Sequence, residues 1–441
     1  MHRQWSVFTI GFLVVGLWTA SSARAGDGAT LQDEVSRLKE QVAALSAQQS
    51  TLLEQEVVQY LDRSQTWRGA EGATKTAWDM ITLNFNFTSV VQASAGLDPA
   101  DRTAVSGDVD LNFWFTITDN LDGFLSLTAN SGGDFEGLFG STGSFPSIGG
   151  MTASGLTDGI GVNGAAPTDP GAITVYEAGI VHRWMIGETW LNWSIFVGDP
   201  RTRFSQNAFA DDENTQFLNN LFDDSAAVPW MTDSSGRGVF GIHMWVDLGA
   251  DKNWRVSWAW FNAPGQFFNN GQFFIQLAWK GEVNGRAMNL RIFGFIDSFF
   301  EKAATGDDAA GGGVSWDWMV SDKIGIFVRI NANGSDANPV ELDASVGAVF
   351  NNVIGSRPDD QIGVAVGFIS LQDTSASFNG VGPFVFLEDT EVTIEVYYKA
   401  VFEGGKLNVT GGFQVITDPG GGFGWADDTL FLIHVRIFVP F

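Results

Sequence analysis

An all-β transmembrane barrel of about sixteen antiparallel strands, preceded by a short α-helical coiled coil, is the fold class that this 441-residue sequence predicts. Three observations carry that prediction. The chain opens with an export signal, its apolar and polar residues alternate with period 2 from residue 78 onward, and the connections between alternating segments are short and long by turns.

The export signal comes first. Arg3 makes a positive n-region, Trp5 to Ala20 an apolar stretch, and Ala23-Arg24-Ala25 a small-x-small cleavage site, so residues 1–25 read as a signal peptide and the mature chain is expected to begin near Gly26. An uncleaved anchor helix is the competing reading. Without Arg3 and Arg24 the chain keeps 22 basic residues against 51 acidic, a formal charge of −29. No later segment is apolar enough for a membrane helix, so a mature chain that spans a membrane must do so as a closed barrel.

Composition agrees. With 44% apolar and 17% charged residues, 53 Gly, 37 Phe and 17 Trp, the chain is too apolar for disorder and too rich in Gly and aromatics for a helical bundle. The charge of −27 before processing argues against attraction to nucleic acid or to an anionic membrane face. The absence of cysteine excludes disulfides and thiolate metal sites.

Between Leu31 and Leu52 the apolar residues Leu31, Val35, Leu38, Val42, Leu45 and Leu52 fall at steps of 4 and 3, with Gln49 in the remaining place. That is a heptad seam, flanked by Glu34, Arg37, Lys39 and Glu40, and residues 28–61 are expected to form a periplasmic coiled coil of two or three chains. A single amphipathic helix packed on the barrel is the alternative. Residues 62–77 read as a linker, and residues 78–441 as the barrel.

Alternation is cleanest in the last strand, where Phe431, Ile433, Val435, Ile437, Val439 and Phe441 are apolar and His434 and Arg436 lie between them. The same split recurs in Ile81 to Phe87, Val109 to Phe115 and Val392 to Tyr398, so one face of each strand suits lipid and the other water. The segments are 78–95, 104–118, 122–130, 173–184, 189–198, 236–248, 253–262, 271–280, 285–298, 310–320, 322–331, 342–350, 361–372, 390–400, 405–416 and 428–438. An even count suits a bacterial single-chain barrel. Connections after even-numbered segments are mostly tight and those after odd-numbered ones longer, above all Ser131 to Ala172 and Asp199 to Ser235, which are the candidates for a constriction. This asymmetry places both chain ends in the periplasm. Asn351 to Asp360 departs from it. Trp184, Trp190, Trp254, Trp260, Trp279, Trp316 and Trp318 lie near strand ends, where an interfacial girdle is expected.

Three stretches resemble the carbohydrate-selective porin (OprB-type) family. They are RFSQNAFADDENTQFLNNLF (Arg203 to Phe222) with Ala227 to Pro229 after it, NNVIGSRPDDQIGVAVGF (Asn351 to Phe368), and TEVTIEVYYKAVFEGGKLNVTGGFQVITDPGG (Thr390 to Gly421). A terminal aromatic such as Phe441 also resembles the assembly signal of outer-membrane barrels. The resemblance covers roughly residues 78–441 and implies passive diffusion of small sugars through an outer-membrane channel. Two features depart from the family pattern: Gly411-Gly412 stands where Pro-Asp usually precedes Phe413-Gln414, and the N-terminal coiled coil is an addition.

Alternation directs Asp108, Asp110, Trp114, Glu177, Arg183, Arg237, His243, Asp247, Asn289, Arg291, Arg329, Glu395, Tyr397, Lys399, His434 and Arg436 to the lumen. Carboxylates and guanidinium groups can hold sugar hydroxyls, and an aromatic face can stack on a sugar ring. A general or cation-preferring pore is the alternative, since any porin lumen is polar and the chain is strongly acidic. The segment 28–61 could also tether the outer membrane. Acidic clusters such as Asp211 to Glu213 read as solvated loop charge ahead of calcium ligands. No metal, cofactor or nucleic-acid partner is expected. An enzyme would have to use His182, His243 or His434, and no Gly-x-Ser-x-Gly or metal-ligand spacing supports one.

Overall fold

The computed structural model describes residues 81–97, 103–133, 173–186, 189–198, 203–210, 215–223, 226–228, 239–249, 253–262, 271–298, 307–335, 338, 340–371, 374–375, 384–385, 390–419 and 426–440. The expected signal peptide, coiled coil and linker, and Phe441, lie outside these residues.

Sixteen strands close into one antiparallel barrel. They are β1 (Ile81–Leu97), β2 (Thr103–Thr118), β3 (Leu121–Gly133), β4 (Ile173–Ile186), β5 (Thr189–Gly198), β6 (Val239–Leu248), β7 (Trp254–Asn262) and β8 (Gly271–Val283). The circuit continues through β9 (Arg286–Asp297), β10 (Ala309–Met319), β11 (Ile324–Asn333), β12 (Val340–Asn351), β13 (Gln361–Leu371), β14 (Thr390–Phe402), β15 (Leu407–Thr417) and β16 (Ala426–Pro440). Each strand pairs with its chain neighbours, and β16 returns to β1 from Asn86↔Pro440 to Leu97↔Ala426. The sixteen alternating segments are these sixteen strands. Closure leaves no edge, so every strand finds partners on both sides, which hydrocarbon demands because it offers no hydrogen bonds.

Side chains divide as the period requires. On β16 Phe431, Ile433, Val435 and Ile437 point outward, with Ile433 65% exposed, while Leu432, His434 and Arg436 are buried inside. Directly paired residues share a face, so the ladders carry the assignment round the barrel. Trp184, Trp254, Trp279 and Trp318 stand on the outer face near the end with the tight turns, and the rings of Trp254 and Trp279 lie 6.5 Å apart. Trp190 does not join them. It shares its face with the buried, inward Asn192 and Ser194, because nearness to a strand end says nothing about which face a residue occupies.

Turn chemistry explains the short connections. Asn284 (φ 54°) and Gly285 (φ 72°) form a two-residue hairpin between β8 and β9, the pairing that a turn with two positive φ values favours. The longer β12–β13 connection is itself ordered. Arg357 forms a bidentate pair with Asp360 (Nε–Oδ2 2.5 Å, Nη2–Oδ1 3.0 Å), its guanidinium lies 4.5 Å from the Phe402 ring centroid, and Asp360 accepts the Val401 N–H at 2.9 Å. The Arg357 hydrogen bond holds the Asp360 carboxyl down at about 2. The connection is therefore clamped to the end of β14, which accounts for its departure from the short-turn rule.

The outward assignment is testable at Val346, 53% exposed and central in β12. Val346→Arg should destabilise the barrel folded in lipid vesicles by about 2–4 kcal/mol in urea titrations. A folding midpoint equal to the parent's would show that this face does not meet hydrocarbon.

Candidate functional site in the barrel lumen

The β5–β6 connection turns into the barrel. Its described residues 203–210, 215–223 and 226–228 lie against the inner wall and are held by side chains from nine strands, β4, β8 to β12 and β14 to β16. Gln276 on β8 accepts the Ser205 N–H at 2.9 Å, and Ser315 on β10 accepts from Asn207 Nδ2 at 3.2 Å. Glu395 on β14 accepts the N–H groups of Leu218 and Asn219 at 2.7 and 2.8 Å, one on each carboxylate oxygen. Asp343 on β12 accepts the Ala227 N–H at 2.6 Å. Arg329 on β11 donates to the carbonyls of Phe222 (2.7 Å) and Ser205 (3.0 Å), and Arg436 on β16 donates to that of Gln216 (2.6 Å). Gln414 on β15 accepts from Asn219 Nδ2 at 3.2 Å.

The logic is that of a buried chain without a sheet to pair with: its backbone groups must find partners, and the wall supplies charged ones, whose hydrogen bonds are the stronger kind. One helical turn, α1 (Asn220–Asp223), is started by Asn219, whose Oδ1 accepts the Leu221 N–H at 3.0 Å. Apolar packing completes the seat. Phe204 meets Phe274 (5.2 Å) and His243 (5.5 Å), and Phe217 meets Tyr397 (5.0 Å) and Phe327 (5.6 Å). Gly325 and Gly367 leave room for Phe209 and Leu221, whose atoms a Cβ at either glycine would strike.

This loop divides the residues that alternation directed inward. His243, Arg329, Glu395, Tyr397, His434 and Arg436 face inward but are buried, so they hold or underlie the loop and do not border open lumen. Sequence periodicity could not separate them, because it reports the face of a strand and not what lies upon that face. Glu177 pairs with Arg203, whose guanidinium lies 3.5 Å from the Phe196 ring centroid, and so holds the start of the loop. His434 packs against Gly412, where any Cβ would meet its ring, which explains the glycine at this departure from the family pattern.

The remaining inward residues are more open. Arg183, with its side chain 43% exposed, pairs with Asp122 at 2.6 Å. Arg255, 48% exposed, pairs with Asp247 through two bonds of 2.6 and 3.1 Å. The Arg291–Asp317 pair (3.2 Å) is an exception that helps hold the loop: Asp317 is buried and accepts from Asn289 at 2.5 Å and from the Ala208 N–H at 3.3 Å, while Arg291 donates to the Gln206 carbonyl at 2.5 Å. Trp114 stacks on Phe124 at 5.8 Å. Asp110 lies opposite Asn86 and Thr128, and Lys399 opposite Gln361 and Thr410. Asp108 takes its ladder place opposite Thr88, and Arg237 lies outside the described residues. Asp122, Asp317, Arg255, Trp190 and Trp245 were absent from the sequence-based set, although period 2 carried through β3, β5, β6, β7 and β10 would have found each.

Among the described residues no group of three or more His, Asp or Glu is arranged to hold a metal ion. The three histidines among the described residues stand on β4, β6 and β16, and His182 faces outward beside Trp193 at 5.3 Å.

The anchoring can be checked at Glu395. Glu395→Gln keeps the volume but offers one acceptor where two backbone N–H groups need one each, and a hydrogen bond to a charged partner is worth about 1.5–3 kcal/mol. Open-channel current noise and mean single-channel conductance should both rise in planar bilayers, with the barrel's strand content by circular dichroism unchanged. Recordings indistinguishable from the parent's would mean that Glu395 does not hold the loop.

Residues 233–437 match the family model described as carbohydrate-selective porin, OprB family. The high-pH structure of Pseudomonas putida OprB superimposes with a TM-score of 0.63 at 16% identity, covering 82% of this chain and 94% of that one. The low-pH structure of the same protein gives 0.49 at 11% identity over 82% and 93%. A mutant of Rh. blastica porin gives 0.45 at 12% over 82% and 100%. No curated protein sequence matches. The matched stretch is similar to a porin family and the superimposed fold is that of a sixteen-stranded porin barrel. Two of the three motifs read from the sequence fall inside the matched residues, and over residues 233–437 the chain carries the pattern of the carbohydrate-selective porin, OprB family.

Proposed function

We propose that this porin passes small uncharged polyols, sugars foremost, by passive diffusion. One observation carries the reading: the two guanidinium groups described above on the open part of the inner wall each have a carboxylate partner, Arg183 with Asp122 and Arg255 with Asp247, and the Arg291–Asp317 pair at the edge of the loop is matched in the same way. Paired charges nearly cancel at a distance, so the lining attracts neither sign of ion strongly. At contact the same pairs offer a sugar both donors and acceptors. The description of the matching family, carbohydrate-selective, supports this choice of solute.

A general or cation-preferring pore is the second reading, favoured by the formal charge of −27. In either case residues 28–61 are proposed to lie in the periplasm as a coiled coil joining two or three copies, with membrane tethering as a further role, on the strength of the heptad seam.

Planar-bilayer recording separates the two. With the purified protein, saturating glucose or maltose should lower ion conductance reversibly, and a conductance that no sugar changes would leave the general pore. Arg255→Ala leaves the Asp247 carboxylate on the open wall without its cation, so the reversal potential in a salt gradient should move toward cation preference. An unmoved reversal potential would show that ions do not pass Arg255.

A further inference from the structure

The inner wall of β4–β7, between the inward loop and the tight-turn end, carries a group of side chains that neither the loop nor the lipid uses. Asn192 on β5 pairs directly with Arg183 on β4 and with Trp245 on β6. Trp190 stands two residues from Asn192 on the same face, and so is a diagonal neighbour of Trp245, about 7–8 Å away between backbone positions. The Trp245 ring lies 4.8 Å from that of His243 with 24° between planes, and His243 in turn meets Phe204 of the loop. The Arg255 guanidinium lies 5.8 Å from the Trp245 ring centroid and is held in place by its two bonds to Asp247. An aromatic path thus runs from the loop toward the tight-turn mouth, ending in two half-buried indoles beside a fixed guanidinium–carboxylate pair.

Tryptophan on a porin's outer face is accounted for by the lipid interface. Trp190 and Trp245 are on the opposite face, where water and solute pass. A pyranose has an apolar face of C–H groups and a rim of hydroxyls, and it needs a flat apolar ring next to fixed donors and acceptors. We propose that Trp190 and Trp245, with the Arg255–Asp247 pair and Arg183, form a sugar subsite on the tight-turn side of the loop. It takes one hexopyranose unit, with a ring face on an indole and hydroxyls on the guanidinium and carboxylate. The proposal rests on the sugar reading and adds to it a place and a preference, since a chain of linked hexoses can reach this subsite while another unit occupies the loop region.

The test is current block by maltose and maltotriose in planar bilayers, added separately to each side, on the full protein and on Trp245→Ala, Trp190→Ala and Trp245→Leu. Each variant should keep the parent's sugar-free conductance within about a third. The half-blocking concentration should rise about fivefold or more in Trp245→Ala and Trp190→Ala, and in Trp245→Leu as well, which retains bulk without a flat ring. Trp245→Phe should restore block to within about twofold of the parent. If the parent is blocked and the variants are blocked at the same concentration, the subsite is wrong and the sugar reading stands. If no sugar blocks the parent, the sugar reading fails and the subsite with it. Should Trp245→Ala form no channels, the Trp245→Leu and Trp190→Ala recordings decide the matter by the same criterion.

Discussion

The shape of this channel depends on charged side chains of the wall meeting backbone groups of the inward loop. Glu395 takes two N–H groups, Asp343 one, and Arg329 and Arg436 three carbonyls between them. A chain segment inside a barrel cannot join the sheet, since every strand already has two neighbours, so each buried polar group of the loop must be met by a side chain. Carboxylates for donors and guanidinium groups for acceptors are the strongest such partners. The aromatics Phe204 and Phe217 then fill the space between these anchors, with glycines in the wall where the loop comes closest.

The barrel makes this arrangement possible. Closure in hydrocarbon fixes two faces, and the outer one is spent entirely on lipid: Val346, Ile433 and their outward neighbours have no polar task. All chemistry is left to the inner face, where the loop splits it again. Where the loop lies, polar residues are buried and structural. Where it does not, Arg183 and Arg255 keep carboxylate partners on the same stretch of wall as Trp190 and Trp245, a lining that suits neutral polar solutes.

Strand count, connectivity and the inward or outward direction of nearly every strand were legible in the amino-acid order, because period 2 against lipid is a strict rule. Val392 to Tyr398 read alone indicates β14 and both its faces. What alternation could not show is whether an inward residue stays open. Glu395 and Asp247 look alike in sequence, each a carboxylate on an inward face, and only the course of residues 203–228 separates the anchor from the lining. The family motif at Arg203 to Phe222 marked that segment as special without telling which side chains receive it. Trp190 misled for a related reason: a tryptophan near a strand end suits an interfacial girdle on the outer face and a solute contact on the inner one equally well. At Gly412 the departure from the family pattern became intelligible only once His434 was seen to occupy the space of a side chain.

The native chain has no cysteine, so single introduced cysteines give an unambiguous report on which inner-wall positions the loop covers. Asn289 is half-exposed on the inward face of β9, whereas Thr393 is fully buried two residues from Glu395. In Asn289→Cys a charged methanethiosulfonate reagent added during bilayer recording should change the current promptly, while in Thr393→Cys it should react at least about a hundredfold more slowly. Equal rates at the two positions would contradict the account, because the loop would then not divide the lumen into a covered and an open wall.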